Sequence, residues 1–331
     1  MAVPLKCVDS TVAPAALLEA MREVYTVDES ATCELIQRHL DATYLLSGES
    51  ERLIARLYNA RWWSREEVEG EVAVLRHLAA HRVRVAAPVK RLDGGCVTTI
   101  QAPEGERLLL VYEYLDGDGL LPSRDAGSFG ELVGQMHHAL QDCELKQRRR
   151  ELTLRRLTTD TFDTIVAQLS EQSAHRMYFE DLRIRVLTRA QDVGLSEFTE
   201  GLCHGDLNFS NAVRLADGRI GLYDFESCGQ GILAYDLAVF RWVQRLVGAP
   251  EQTWQDFLDG YRRHNEISER ELAGMDLLVL LRQLYMLEHD ARRTQIESLG
   301  GRWRRARHTP QVDALRRLDA QVFGMQVLQG W

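Results

Sequence analysis

Two carboxylates and a carboxamide stand at fixed spacings in one stretch of the chain. His204-Gly205-Asp206-Leu207-Asn208-Phe209-Ser210-Asn211 is followed, after two short apolar runs, by Asp224-Phe225-Glu226. Phosphoryl transfer uses such a set: one carboxylate beside the attacking hydroxyl, plus an Asn and a second carboxylate holding Mg²⁺ on nucleotide phosphates. Asp206, Asn211 and Asp224 supply those groups in that order.

The elements between them must bring them into place. Reading Asp217-Gly218 as a two-residue hairpin turn sets Val213 opposite Leu222, Leu215 opposite Ile220 and Asn211 opposite Asp224. Side chains alternate along a strand, so these six share one face. Two oxygen ligands at the open end of that hairpin suit Mg²⁺, which takes one or two carboxylates and completes its shell with phosphate and water.

The chain has 331 residues, room for two lobes or domains. A composition of 45% hydrophobic and 27% charged residues is that of an ordinary globular protein. The net charge of −9 argues against a broad nucleic-acid surface and mildly favours a cationic or Mg²⁺-bound partner. The six cysteines are scattered without a C-x-x-C pair, so neither a disulfide framework nor a zinc site is expected, and a cytoplasmic setting is. No signal peptide is expected, since no basic region followed by an apolar run opens the sequence. The apolar segment Leu277 to Leu281 is too short to span a bilayer, so no membrane partner is expected.

Taken in order, the pattern predicts a helix over Pro14 to Val24 and strands over Cys33–His39, Thr43–Ser47 and Arg52–Tyr58. Ser64-Arg65-Glu66-Glu67 is a capping box that opens a helix with Val68, Val72, Leu75 and Ala79 on its buried face. Two further strands are expected around the Asp93-Gly94-Gly95 turn and Arg107–Tyr112. This is a small antiparallel lobe with one helix. Leu115-Asp116-Gly117-Asp118-Gly119 breaks both periodicities and reads as a hinge. Beyond it the pattern is mainly helical: 129–140, 161–170, 175–191, 237–246, 252–264, 269–295 and 312–329. The fold class is α+β with two lobes, 1–114 and 115–331, and a hinge at about 113–119.

H-G-D-x-x-x-x-N, then D-F-E, then Tyr235-Asp236-Leu237-Ala238 resembles the aminoglycoside phosphotransferase / homoserine kinase-like family, which has a protein-kinase-like fold. Arg61-Trp62-Trp63-Ser64 and Leu281-Arg282-Gln283-Leu284-Tyr285 are similar, more weakly, to its bacterial stress-response kinase branch. The resemblance implies ATP, with GTP not excluded, and Mg²⁺ as cofactors. It makes Asp206 the catalytic base or hydroxyl-orienting residue, and Asn211 and Asp224 the Mg²⁺ ligands. His204 and Asp236 brace the catalytic loop. Glu113 to Leu115 offer backbone groups to adenine, and Glu71 orients a phosphate-binding cation on the third strand.

That cation is Arg56 where many kinases have Lys, a non-conservative exchange. The phosphate-covering loop around Leu40 to Thr43 contains no glycine, and Glu226 replaces the Gly of D-F-G. The basic run Lys146 to Arg150, with Arg155 and Arg156, reads as a solvated helix face. For the acceptor, Asn208 lies in the catalytic loop, and Arg282, Tyr285, Glu288, His289 and Arg292 fall at helical spacings. Arg282 would take a carboxylate, and Glu288 and Asp290 an amine. The leading reading is therefore an ATP- and Mg²⁺-dependent O-phosphotransferase for a small polar molecule such as an amino alcohol, amino sugar or antibiotic. The alternatives are a stress-response-type protein Ser/Thr kinase and a nucleotide-binding pseudokinase.

Overall fold

A computed structural model of the chain describes residues 7, 9–39, 41–59, 61–147, 149–298 and 305–324. The chain begins with α1 (Pro14–Val24), then β1 (Thr32–Arg38), β2 (Ala42–Ser47), β3 (Arg52–Tyr58) and α2 (Arg65–Ala80). Next come β4 (Thr98–Ala102), β5 (Gly105–Glu113), β6 (Gly117–Gly119), α3 (Pro122–Leu140) and β7 (Arg150–Leu152). Then follow α4 (Thr161–Val166), α5 (Ala174–Asp192), β8 (Glu200–Cys203), β9 (Ala212–Leu215), β10 (Ile220–Leu222) and β11 (Gly229–Ile232). The chain closes with α6 (Leu233–Leu246), α7 (Glu251–Tyr261), α8 (Glu269–Ala273), α9 (Met275–Ser298) and α10 (Arg305–Phe323). The α+β class with an antiparallel N-terminal sheet and a mainly helical remainder is as expected.

The chain divides into two compact units. One takes Met1–Asp118 together with Asp142–Arg149 and Val213–Glu226; the other takes Gly119–Gln141, Arg150–Ala212 and Ser227–Trp331. The two returning segments of the first unit are ones that the sequence pattern groups with the C-terminal residues.

In the first unit five strands form an antiparallel sheet in the order β1-β2-β3-β5-β4. Leu53, Ala55 and Leu57 of β3 and Leu109 and Val111 of β5 pack with Leu17, Leu18 and Met21 of α1. Alternation along the strands sends Arg56, Tyr58 and Tyr112 to the opposite face. Helix α2 covers that side. It starts where the sequence says: Ser64 accepts from the Glu67 N–H, and Glu67 reaches back to the Ser64 N–H at 2.9 Å.

The hairpin β9–β10 differs from its expected register. The Leu215 N–H donates to the Arg219 carbonyl at 2.8 Å, and the Gly218 N–H to the Leu215 carbonyl at 2.9 Å. The connection is thus the three residues Ala216 to Gly218, with Gly218 at φ +82°. Leu215 faces Arg219, not Ile220. A slip of one residue exchanges the faces of a strand, so the alternation that set Asn211 opposite Asp224 does not hold. Leu222 is tied instead to the stretch between α2 and β4, donating to the Arg84 carbonyl and accepting from the Ala86 N–H, each at 2.9 Å.

In the second unit, β7, β11 and β8 form a small sheet, with β11 parallel to β7 and antiparallel to β8. The expected helix 269–295 is two helices broken at Gly274, and the expected helix 161–170 ends at Val166 after a π-helical turn over Arg156–Asp160. Residues 325–329 of the expected last helix lie outside the described residues. No helix among the described residues is long and apolar enough to cross a membrane.

Helices α3 and α7 approach backbone to backbone. A Cβ on Gly130 would stand 2.0 Å from the Phe257 carbonyl oxygen, whereas one on Gly127 would meet only Asp256 O at 3.5 Å. Both substitutions gain about 1 kcal/mol in helix propensity, but only Gly130→Ala forces the helices apart. We predict that Gly130→Ala lowers stability in urea denaturation by about 1–3 kcal/mol, while Gly127→Ala leaves it unchanged or raised. Equal stability of the two variants would refute this packing.

Candidate active site

The catalytic-loop residues lie in the second unit. Phe209 is the anchor: its ring packs 5.4 Å from Phe129 and 4.9 Å from Phe240, inside an aromatic cluster with Phe257. The short helical turn Phe209–Asn211 follows from Asn208, whose Oδ1 accepts the Ser210 N–H at 2.8 Å. Asn208 Nδ2 donates to the Asp206 carbonyl at 3.0 Å. Asn211 Nδ2 donates to the same carbonyl at 2.8 Å and to Asp206 Oδ2 at 3.0 Å. The other oxygen of Asp206, Oδ1, accepts from Arg282.

Asp236, fully buried on α6, holds the start of this loop. It accepts the His204 N–H at 2.6 Å, the Gly205 N–H at 2.8 Å and a bond with His137 Nε2 at 3.0 Å. Burial pushes its carboxyl pKa up. The hydrogen bond and charge of His137, the field of His204 and the Gly205 N–H outweigh that, so it lies below the usual carboxylate range. Removing one partner from a buried pair of this kind costs roughly 3–5 kcal/mol. His204 is also fully buried, and its Nδ1 accepts the Asp206 N–H at 3.3 Å.

The acceptor residues expected on the late helix are placed differently. Arg282 is 4% exposed and spent on Asp206, so it is not open to a substrate carboxylate. Glu288 is 1% exposed and bonded to Arg156 Nη2 at 3.0 Å, so it is not open to an amine. Tyr285 is buried, with the Arg156 guanidinium 5.0 Å from its ring centre. His289 is only partly buried. Asn208 is spent inside the loop. The stripe reads as exposed in one dimension, but nearly every residue from Leu277 to Glu288 is buried, so its spacing marks no surface.

A second cluster of acids lies in the first unit. Asp224 has a left-handed backbone, φ +68°, at the turn that ends the hairpin. Arg56 Nη1 donates to Asp224 Oδ1 at 2.6 Å and to Glu226 Oε2 at 2.9 Å. Burial and the neighbouring Asp224 push the Glu226 carboxyl up to about 8, against the pull of Arg56. Burial disfavours the Arg56 charge, but Asp224 and Glu226 more than compensate and hold it firmly protonated.

Glu71 does not pair with Arg56. Its carboxylate accepts from Tyr58 at 2.9 Å and Tyr112 at 2.6 Å, with Arg149 Nη1 at 3.9 Å. Arg149 also donates to the carbonyls of Glu67 at 2.5 Å and of Phe225 and Glu226 at 2.8 Å each. It therefore ties α2 to the Asp224-Phe225-Glu226 turn. This corrects the solvated reading of the basic run: Arg149 is buried, and Arg156 is largely so, while Arg155 is open to solvent. Arg148 lies outside the described residues. Nothing in the run distinguishes Arg149 from its neighbours, so no sequence signal marks it. Tyr58 and Tyr112 had one, since alternation puts both on the face of Arg56.

Glu113 ends β5 with its N–H on the Ala87 carbonyl at 2.9 Å and its side chain half exposed, while Leu115 is buried. In the loop before β2, Leu40 lies outside the described residues. Asp41 turns inward, accepting from the Asn59 N–H at 2.7 Å and Trp63 Nε1 at 2.9 Å.

In the second unit Asn211 directs its amide nitrogen at Asp206, which leaves its amide oxygen as the acceptor end; in the first unit Asp224 offers a carboxylate; each is an oxygen donor of the kind a hard cation takes. Among the described residues no three His, Cys, Asp or Glu side chains gather as a metal site.

A family model described as the phosphotransferase enzyme family matches residues 32–278. An uncharacterised protein of Deinococcus radiodurans is 32% identical over 289 residues, covering 84% of this chain and 82% of that one. Among solved structures, a microcompartment-associated aminopropanol kinase superposes with a TM-score of 0.73 at 20% identity, over 94% of this chain and 98% of the other. The amicoumacin kinase hAmiN, solved with AMP-PNP, Ca²⁺ and Ami, superposes with a TM-score of 0.70 at 20% identity, over 93% and 92%. These structures share its kinase-like fold. With a family model spanning most of its length and a catalytic-loop motif built as described, the chain belongs to the phosphotransferase enzyme family.

Proposed function

We propose that this protein is an ATP- and Mg²⁺-dependent kinase that phosphorylates a hydroxyl of a small polar molecule. The observation that carries the reading is the state of Asp206: a carboxylate on a braced loop with a donor on each oxygen. Such a group accepts the hydrogen bond of an incoming hydroxyl in a fixed direction. The hydroxyl oxygen attacks the terminal phosphorus, the bond to the bridging oxygen breaks, and the hydroxyl proton passes to Asp206. Asn211 and Asp224 would hold Mg²⁺, which neutralises charge on the phosphates. Arg56, with Glu71, Tyr58, Tyr112 and Arg149 behind it, belongs to the nucleotide side, and the backbone of Glu113 to Leu115 to the adenine or guanine ring. The first lobe, 1–114, binds nucleotide and the second, from 115, carries the chemistry, in a cytoplasmic protein.

The acceptor class is narrowed by what the late helix does not offer. With Arg282 and Glu288 each neutralised internally, neither recognises a substrate carboxylate or amine. By these two residues, small neutral alcohols are better fitted than amino alcohols or polycationic aminoglycosides. An ATP-consumption screen over aminoglycosides, nucleoside and peptide antibiotics, homoserine, choline and simple sugars tests this. A confined set of small-alcohol acceptors is expected, whereas radiolabelled phosphate found only in protein would overturn it. ATP bound without turnover of any acceptor would instead support an inert nucleotide-binding protein, a reading that the pairing of Arg56 with Asp224 favours.

Two substitutions separate the roles. Asp206→Asn is expected to lower turnover by roughly 10²–10⁴-fold while nucleotide affinity, read by calorimetry, stays near the parent value; near-parental turnover would remove Asp206 from the chemistry. Asp224→Ala is expected to abolish the dependence of ATP affinity on Mg²⁺, and an unchanged Mg²⁺ titration would refute the metal assignment.

A further inference from the structure

We infer that Arg282 is a positioning residue of the reaction: it aims the Asp206 carboxylate at the acceptor hydroxyl and does not itself bind the acceptor. The inference rests on the reading of Asp206 given above. Its basis is a bracket around one peptide unit. Nη1 of Arg282 donates to the Gly205 backbone carbonyl at 3.2 Å, while Nη2 donates to Asp206 Oδ1. One planar group thus fixes the side chain of Asp206 against its own backbone. A guanidinium spans both acceptors at once with a rigid fork, whereas an ammonium presents a single point of charge.

The opposite side of the carboxylate is fixed independently. Asn211 Nδ2 bridges Asp206 Oδ2 and the Asp206 carbonyl. The two clamps come from different elements, α9 and the turn after the loop, so neither alone sets the carboxylate plane. Together they leave Asp206 one orientation, with its remaining lone pairs directed away from both clamps. Arg282 is itself held: it is 4% exposed, and its Cζ lies 5.5 Å from the Trp242 ring centre. Its Nε is buried, and the buried Tyr235 hydroxyl is a further neighbour of the guanidinium, so the whole group is enclosed with its fork on Asp206 and Gly205. A residue meant to capture substrate would be expected to offer an exposed donor, and the fork of Arg282 is directed into the loop.

Misplacing a reacting group by about 1 Å costs on the order of 100-fold in rate, so loss of the bracket is expected to appear in kcat. The test uses the full chain, with Mg·ATP and water as the acceptor, and reads phosphate release. Arg282→Met is expected to lower kcat about 100-fold with KM for ATP within twofold, on a protein whose melting curve remains cooperative. Arg282→Lys, which keeps the charge in case the Met variant does not fold, is expected to recover only part of the rate. In Arg282→Ala, added guanidinium chloride at low millimolar concentration should restore activity where sodium chloride at equal ionic strength does not. Parental kcat in the Met variant, or no rescue by guanidinium, would overturn the inference. Asp206→Asn run in parallel separates the two claims. Parental hydrolysis in Asp206→Asn defeats the reading of Asp206 and the inference with it. A dead Asp206→Asn beside a fully active Arg282→Met defeats the inference alone.

Discussion

A carboxylate withdrawn from water must be given donors or lose its charge, and this constraint acts within each of the two units. Asp236 is the plainest case. It has no exposure, and two backbone N–H groups and a histidine surround it. Because those N–H groups belong to His204 and Gly205, satisfying the buried charge and fixing the path of the loop are one event. Phe209 pins the other end of the same loop in an aromatic cluster. Asp206 lies between two fixed points.

The same constraint acts in the first unit with different partners. Asp224 and Glu226 share Arg56, while Glu71 is left to two tyrosines and Arg149. The kinase-like expectation of a strand cation paired to a helix acid is thus redistributed here. Arg56 reaches Asp224 directly, and the helix acid is tied through Arg149 to the carbonyls of the same turn. Replacing Lys by Arg is consistent with this exchange, since a guanidinium engages two carboxylates more readily than an ammonium does.

The capping box at Ser64 fixed the start of α2, and the strand 52–58 was legible to the residue, because local hydrogen bonding and alternation decide both. The hairpin register was not, because Asp217-Gly218 suits both a two-residue turn and the end of a three-residue one. Only the backbone bonds of Leu215 choose between them. The late helix misled for a related reason: helical spacing reports which residues share a face, but not whether another element covers it.

What the sequence determined by itself was the order of the candidate groups. The order Asp206, Asn211, Asp224 within one motif is a covalent fact, and the proposed reaction rests on it. Tertiary structure decided the partners. That Arg282 serves Asp206, that Arg149 joins α2 to the Asp224 turn, and that Glu288 is cancelled by Arg156 depend on side chains separated by 76 or more residues. No spacing rule connects residues so far apart in the chain. Burial selects the pairs, since each charge removed from water takes the counter-charge that packing brings within reach.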